Sequence, residues 1–222
     1  GLKADASTVA MYQSALTGGP GGFGHICSEV ADGGAGLRAI GASVLISGCT
    51  LTGGGEGPGP PAGTPGAGLR GDASSSLEWH DSTAVAAPGG IDVDVAPGTL
   101  TSYAGITRVF SLTSPLREGQ FGTLTLQGLQ GDFVGFFWSF GSSFVPKPAK
   151  NGWFLLGPPF VSGPYFIGAI GNPDGAWSIP IHAPALQPAL QAQTFLLQAW
   201  FQYPGGVTLA SGTAFTVLDA SL

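Results

Sequence analysis

Three segments near the start of the chain repeat one another, and a repeat restricts the possible folds more tightly than any composition does. They open as Gly1-Leu-Lys-Ala-Asp-Ala, Gly36-Leu-Arg-Ala-Ile-Gly and Gly68-Leu-Arg-Gly-Asp-Ala. A strand-like stretch follows each opening, at residues 8–19, 43–54 and 76–87. The first two copies are offset by 35 residues and the next two by 32 to 33, with one extra residue near Ser74. Aligned in this way, Val9, Val44 and Leu77 form one apolar column, and Met11, Ile46 and Trp79 form the next. Leu16, Leu51 and Ala84 make a third, with the small residues Ser14, Cys49 and Ser82 between them. A short alternating stretch cannot bury both of its faces alone. Stacked at the ~4.8 Å spacing of paired strands, the columns become continuous internal ladders. The stretches between copies, Gly18 to Ala35 and Gly53 to Ala67, are too rich in glycine for helices and read as long loops leaving one edge of each coil.

The pattern Gly36-Leu-Arg…Ser43-Val-Leu-Ile-Ser-Gly-Cys-Thr-Leu-Thr-Gly-Gly resembles the coils of secreted bacterial right-handed parallel β-helix proteins. The resemblance covers about residues 1 to 95. It implies a short β-helix of about three coils, assigned here to residues 1–102. No cap precedes the first coil, so Leu2, Val9, Met11 and Leu16 are expected to line an open strand edge, a template for another chain. The opening Gly1, with no basic-then-apolar signal segment after it, points to a processed precursor or to part of a longer chain.

After the Pro97-Gly98 turn the pattern changes. Alternating or aromatic strand candidates begin at Gly105, Gly122, Asp132, Gly152, Tyr165, Gly175, Thr194 and Thr213, separated by turns such as Asn172-Pro-Asp-Gly and Pro204-Gly-Gly. Seven or eight short strands in roughly 120 residues suit an antiparallel, Ig-like β-sandwich, assigned to residues 103–222. Ser114-Pro-Leu-Arg-Glu-Gly-Gln, Gly128-Leu-Gln-Gly-Asp and Ala214-Phe-Thr-Val-Leu-Asp are similar to the C-terminal sandwich-like module that follows the β-helix in some of those secreted proteins. That resemblance implies an all-β fold and an extracellular or cell-surface location, and no activity.

Charge then narrows the function classes. Only 7 basic and 13 acidic residues occur among 222, for a net charge of −6. Such a chain is not a coiled coil, a charge-rich disordered tail or a basic nucleic-acid binder. Between Asn151 and Leu218 the only charged residue is Asp174. Seven prolines from Pro158 to Pro188 interrupt that stretch, so no apolar run reaches the ~18–20 residues of a spanning helix. Buried strands, not membrane insertion, are expected.

The ionisable groups offer few constellations. Asp92 and Asp94 point to one side of a strand, ~6.6 Å apart by strand rise, which suits a cation or a glycosidic bond. The plainer reading makes them the solvated face of a strand whose Ile91, Val93 and Val95 face inward. Arg38 and Arg70 stand at coil starts as the nearest bases. Glu78, His80, Asp81 and Asp72 form the densest ionisable group, and the outward face of a coil accounts for them. His25 and His182 have no partner by sequence. Cys27 and Cys49 could close a disulfide, or Cys49 could be a buried thiol. Cys27, Cys49, His25 and His80 lack zinc-ligand spacing, so no metal is expected, and no cofactor. Ser142-Ser143 reads as a turn, and the glycine strings lack the lysine and helix of a phosphate loop. Consecutive Phe136-Phe137-Trp138 must place aromatic rings on both faces of one strand.

These features favour a secreted, non-enzymatic structural protein that associates with copies of itself in a filament or surface layer. The alternative is a secreted carbohydrate-binding or carbohydrate-active protein, with surface glycans as partners.

Overall fold

The computed structural model describes residues 1–22, 31–58 and 63–222, with the backbone alone at Phe160. The chain is all-β, with both parallel and antiparallel sheets, and one 3-10 turn at Pro148–Lys150 is the helical element among the described residues. It divides into two compact units, Gly1–Ile106 and Thr107–Leu222. The division falls after the expected boundary at 102/103, because the strand Leu100–Tyr103 still pairs within the first unit.

The first unit contains β1 (Leu2–Asp5), β2 (Thr8–Tyr12), β3 (Ala15–Thr17), β4 (Leu37–Ile40), β5 (Ser43–Ser47) and β6 (Thr50–Thr52). It continues with β7 (Leu69–Gly71), β8 (Ser76–His80), β9 (Thr83–Val85), β10 (Val93–Val95) and β11 (Leu100–Tyr103). The chain passes repeatedly, in one order, through three parallel sheets: β1-β4-β7-β10, β2-β5-β8-β11 and β3-β6-β9. Val9 lies beside Val44 and Val44 beside Leu77, while Leu16, Leu51 and Ala84 form another rung series. These registers are the columns read from the repeat. The one-residue slip falls between β7 and β8, where Asp72 and Ser75 close a turn. Inside, Leu37, Val44, Ile46, Leu51, Leu69 and Leu77 are almost wholly buried against one another.

The bends between strands are also in register. Gln13, Gly48 and Asp81 occupy equivalent corners and all adopt left-handed backbone, with φ of 46°, 62° and 44°. Glycine enters that region freely, and aspartate tolerates it better than most residues.

In their described residues, the glycine-rich segments are not loops hanging from one edge. They run side by side and hydrogen-bond laterally. Gly18 N donates to Thr52 O and Gly21 N to Gly55 O; Gly33 N donates to Thr64 O and Gly36 N to Ala67 O. Between other segments, Gly54 N donates to Gly34 O and Gly57 N to Ala31 O. Each pair advances by three residues, the repeat of an extended threefold helix of the polyproline II kind. Side chains are excluded where the backbones touch. A Cβ would stand 1.9 Å from Gly34 O if built on Gly18, and 2.0 Å from Gly19 O if built on Gly54.

The second unit contains β12 (Val109–Leu112), β13 (Leu116–Arg117), β14 (Phe121–Gln127) and β15 (Phe133–Lys147). It ends with β16 (Gly152–Ala169), β17 (Ala176–His182), β18 (Ala192–Tyr203) and β19 (Gly206–Leu218). Two sheets, β12-β14-β17 and β13-β19-β18-β15-β16, share one core. Phe110, Leu124 and Leu126 come from the first sheet, and Val134, Phe201, Phe215 and Val217 from the second. The strand candidates at Gly152 and Tyr165 are one strand, β16, despite Pro158, Pro159 and Pro164 between them. β16 lies at the edge of its sheet, and none of the three prolines occupies a paired position, so no ladder bond needs the missing N–H. In the same unit, Arg108 binds Asp132 through two hydrogen bonds of 2.8 and 3.3 Å, with both side chains 2% exposed. Arg108 also lies 5.0 Å from the Tyr203 ring centre. Two charges this deep are tolerable because each neutralises the other, and separating such a pair typically costs ~3–5 kcal/mol.

The glycine bundle yields a paired test. Gly18→Ala and Gly54→Ala should each destabilise the first unit by about 1–3 kcal/mol through overpacking. Gly19→Ala and Gly55→Ala, where nothing lies within 4 Å of the new methyl group, should stay within about 0.5 kcal/mol. Urea titrations of the four variants measure the difference.

Candidate functional site: a charged groove on the first parallel sheet

Strand alternation sends Ala4, Leu37, Ala39 and Leu69 into the core and turns Lys3, Arg38, Arg70 and Asp94 outward. Parallel register then sets the outward residues in a row: Lys3 beside Arg38, Arg38 beside Arg70, and Arg70 beside Asp94. Lys3 bonds Asp5 and Arg70 Nε bonds Asp94 Oδ2, each at 2.9 Å. Arg38 is exposed and makes no ion pair among the described residues. Two hollows of about 380 and 330 Å³ flank the row, and both are lined by Arg38 and Arg70. One also takes in Lys3, Asp32 and the glycine segments at Gly19 and Gly33, and the other takes in Asp72 and Asp94.

Two carboxylates beside this row, Asp72 and Asp32, are held ionised to lower pH than an ordinary aspartate. Asp72 accepts bonds from Ser75 Oγ at 2.6 Å, Gly41 N at 3.1 Å and Ser74 Oγ at 2.9 Å, which bring its pKa down to about 2. Asp32 is held below the usual aspartate range by bonds from the Thr64 side chain and amide, with Arg70 adding to the effect. Cations and anions side by side on a rigid, grooved face can grip carboxylates through Arg and hydroxyls through Asp.

Asp92 and Asp94 do not pair as expected. Asp92 lies in a bend just before β10 and accepts the Ala86 amide at 2.7 Å, while Asp94 alone stands on the strand, bonded to Arg70. Ile91, ahead of the strand, is 65% exposed. Val93, beside buried Leu69, and Val95, packed on the first core, lie on the inward side as expected, with Val93 38% exposed because β10 is terminal in its sheet. Glu78 and His80 do face away from the Leu77 side of β8, yet they are 8% and 1% exposed. β11 runs alongside them, Tyr103 OH donates to Glu78 at 2.8 Å, and Ser47 Oγ lies 3.2 Å from His80 Nδ1. Burial, followed by this bond to Glu78, raises the Tyr103 pKa. Asp81 is a left-handed corner.

Cys49 is buried, its thiol donates to Ser47 O at 3.4 Å, and burial raises its pKa. Cys27 and His25 lie outside the described residues, and with them the Cys27–Cys49 pairing. His182 meets Phe121 edge-on at 5.0 Å. Ser142 and Ser143 belong to β15 and not to a turn. Among the described residues, no cluster of three His, Cys, Asp or Glu side chains could hold a metal, and no helix is long and apolar enough to cross a membrane. Leu2, Val9 and Leu16 are half-buried against the first core and Met11 is 7% exposed. Lys3 and Asp32 escaped the reading of the sequence. Lys3 was legible in hindsight, since Lys3, Arg38 and Arg70 hold the same position in the three repeat openings.

No family model matches this sequence, and no curated protein matches it. Among solved structures, it is similar to the PKD domain of an M14-like peptidase from Thermoplasmatales archaeon SCGC AB-540-F20. The identity is 12% and the TM-score 0.25, over 51% of this chain and 92% of that one.

The Asp72 turn makes the first unit acid-sensitive in a definite direction. Its folded pKa of about 2 lies below the ordinary 3.8, so its contribution to stability is present above about pH 4 and is lost as the pH falls towards 2. Asp72→Asn should therefore be less stable than the parent at pH 6, with the gap narrowing towards pH 2; urea midpoints across that range provide the readout.

Proposed function

We propose that this chain is a non-enzymatic extracellular recognition protein that holds an acidic glycan along the groove of its first parallel sheet. In this reading the first unit is a right-handed parallel β-helix of about three coils, and the second is an Ig-like β-sandwich. Three in-order parallel sheets support the first assignment, as does the near-universal right-handedness of crossovers between parallel strands. Two sheets around one core support the second.

One observation carries the ligand assignment: the row Lys3, Arg38, Arg70, which gathers three of the seven basic residues of the chain onto adjacent strands. Rungs ~4.8 Å apart offer a repeating set of donors to an extended polymer. Arg38 supplies a planar fork for a uronate carboxylate, and Asp32 and Asp94 can accept from sugar hydroxyls. Buried His80 and Glu78, and an Asp92 committed to the Ala86 amide, support a binding role without bond cleavage. Oligogalacturonate serves as the probe. Calorimetry should show binding that weakens about tenfold in Arg38→Ala and in Arg70→Ala, each having lost a charge-assisted contact. Asp92→Ala should bind as the parent does. Equal binding by Arg38→Ala, no binding at all, or cleaved product would overturn the proposal.

A second reading, self-association, is favoured by the sheet edges. β1, β2 and β3 are each terminal in their sheets, with Leu2, Val9 and Leu16 half-buried beside that edge. A parallel coil laid there extends all three sheets at once, and a second copy placed head to tail would generate a filament. Electron microscopy at neutral pH should then show filaments that Val9→Lys abolishes; dispersed ~22 kDa particles would overturn this reading.

A further inference from the structure

The second unit carries a cavity that neither reading uses. On the five-stranded sheet, Trp200 alternates with the core residues Ala199 and Phe201 and so faces away from the core. There Phe137, Phe154, Phe166, Trp200 and Leu209 wall a hollow of about 360 Å³, within the ~300–1,000 Å³ typical of small-molecule sites. Phe166 meets Trp200 edge-on at 5.4 Å and Phe137 meets Phe154 edge-on at 5.3 Å, so the walls brace one another.

Lys147, Lys150 and Gln202 supply the polar part of the lining, and no carboxylate joins them. The two lysines are the only ones of this unit, and neither makes an ion pair among the described residues. The four acids of the unit are engaged elsewhere. Asp132 binds Arg108, Glu118 the Leu186 amide, Asp174 the Ala176 amide, and Asp219 Ser221. The lysines also have a fixed base. Lys147 immediately precedes the 3-10 turn and Lys150 is its last residue, and Asn151 just beyond it donates from its side-chain amide to Tyr203 OH at 3.1 Å.

We infer that this cavity binds a small anionic amphiphile, with its apolar body between the aromatic walls and its carboxylate at Lys147 and Lys150. In an acidic chain, two cations with no ion pair among the described residues, set beside an apolar hollow, select for ligands carrying both features. Octanoate and octanol, which share a chain and differ in charge, are the probes for calorimetry on the full chain. Octanoate should bind about tenfold more tightly than octanol. The double variant Lys147→Gln/Lys150→Gln, confined to exposed side chains, should erase that preference while leaving octanol unchanged. Phe166→Ser, at a residue 74% exposed, should weaken both. Equal binding of the two probes, undiminished octanoate binding by the double variant, or failure of octanoate to bind would overturn the inference. So would lysine-dependent binding to anionic phosphatidylserine vesicles with none to monomeric octanoate.

Discussion

The first unit depends on the absence of side chains where its glycine segments touch. Each passage of the chain must return to the start of the next rung, and the described parts of the return segments are packed against one another. Backbone amides of one segment bond to carbonyls of its neighbours at three-residue steps, a contact that only glycine permits at this distance. Glycine is entropically costly to order. Lateral hydrogen bonds offset that cost, and they fix how far apart successive rungs start. The β-rungs and the glycine bundle therefore support one another: in-register strands align the glycines, and aligned glycines hold the register.

The second unit solves a different problem. Its core joins aliphatic and aromatic side chains of both sheets, and Arg108 and Asp132 are buried as a two-bonded pair. Asp132 also accepts the Leu129 amide at 2.9 Å, so the pair anchors the turn that leads into β15. One face of the large sheet closes the core. The other presents the ring-walled hollow whose lysines stand at the hairpin tip. Phe136, Phe137 and Trp138 illustrate both roles, since Phe136 and Trp138 pack on the core and Phe137 lines the hollow.

Much of this was legible in the residues, and the limits have physical causes. Column positions such as Val44 and Leu77 could be aligned because parallel stacking forces like residues to equivalent places. The fourth passage, β10 and β11, escaped because its return segment is short: Val93 follows Leu69 by only 24 residues, against 32 from Leu37 to Leu69. Glycine content argued against helices, and the described residues of these segments form none, but composition carries no sign of which carbonyl each amide meets. Alternation placed Glu78 and His80 on the outer face, yet could not foresee that Tyr103 would come to lie against them. Asp92 and Asp94 were misjudged for a similar reason, since two residues of spacing imply a shared face only if both lie in the strand.

The proline-studded edge strand has a further consequence. β16 is long, rich in aromatics and exposed at Tyr165 and Phe166, and a strand of that kind at the rim of a sheet invites the growth of cross-β aggregates. Pro158, Pro159 and Pro164 deny an incoming chain a continuous line of donors. They act as gatekeepers, so that a surface sticky enough to hold a ligand can remain exposed without recruiting amyloid.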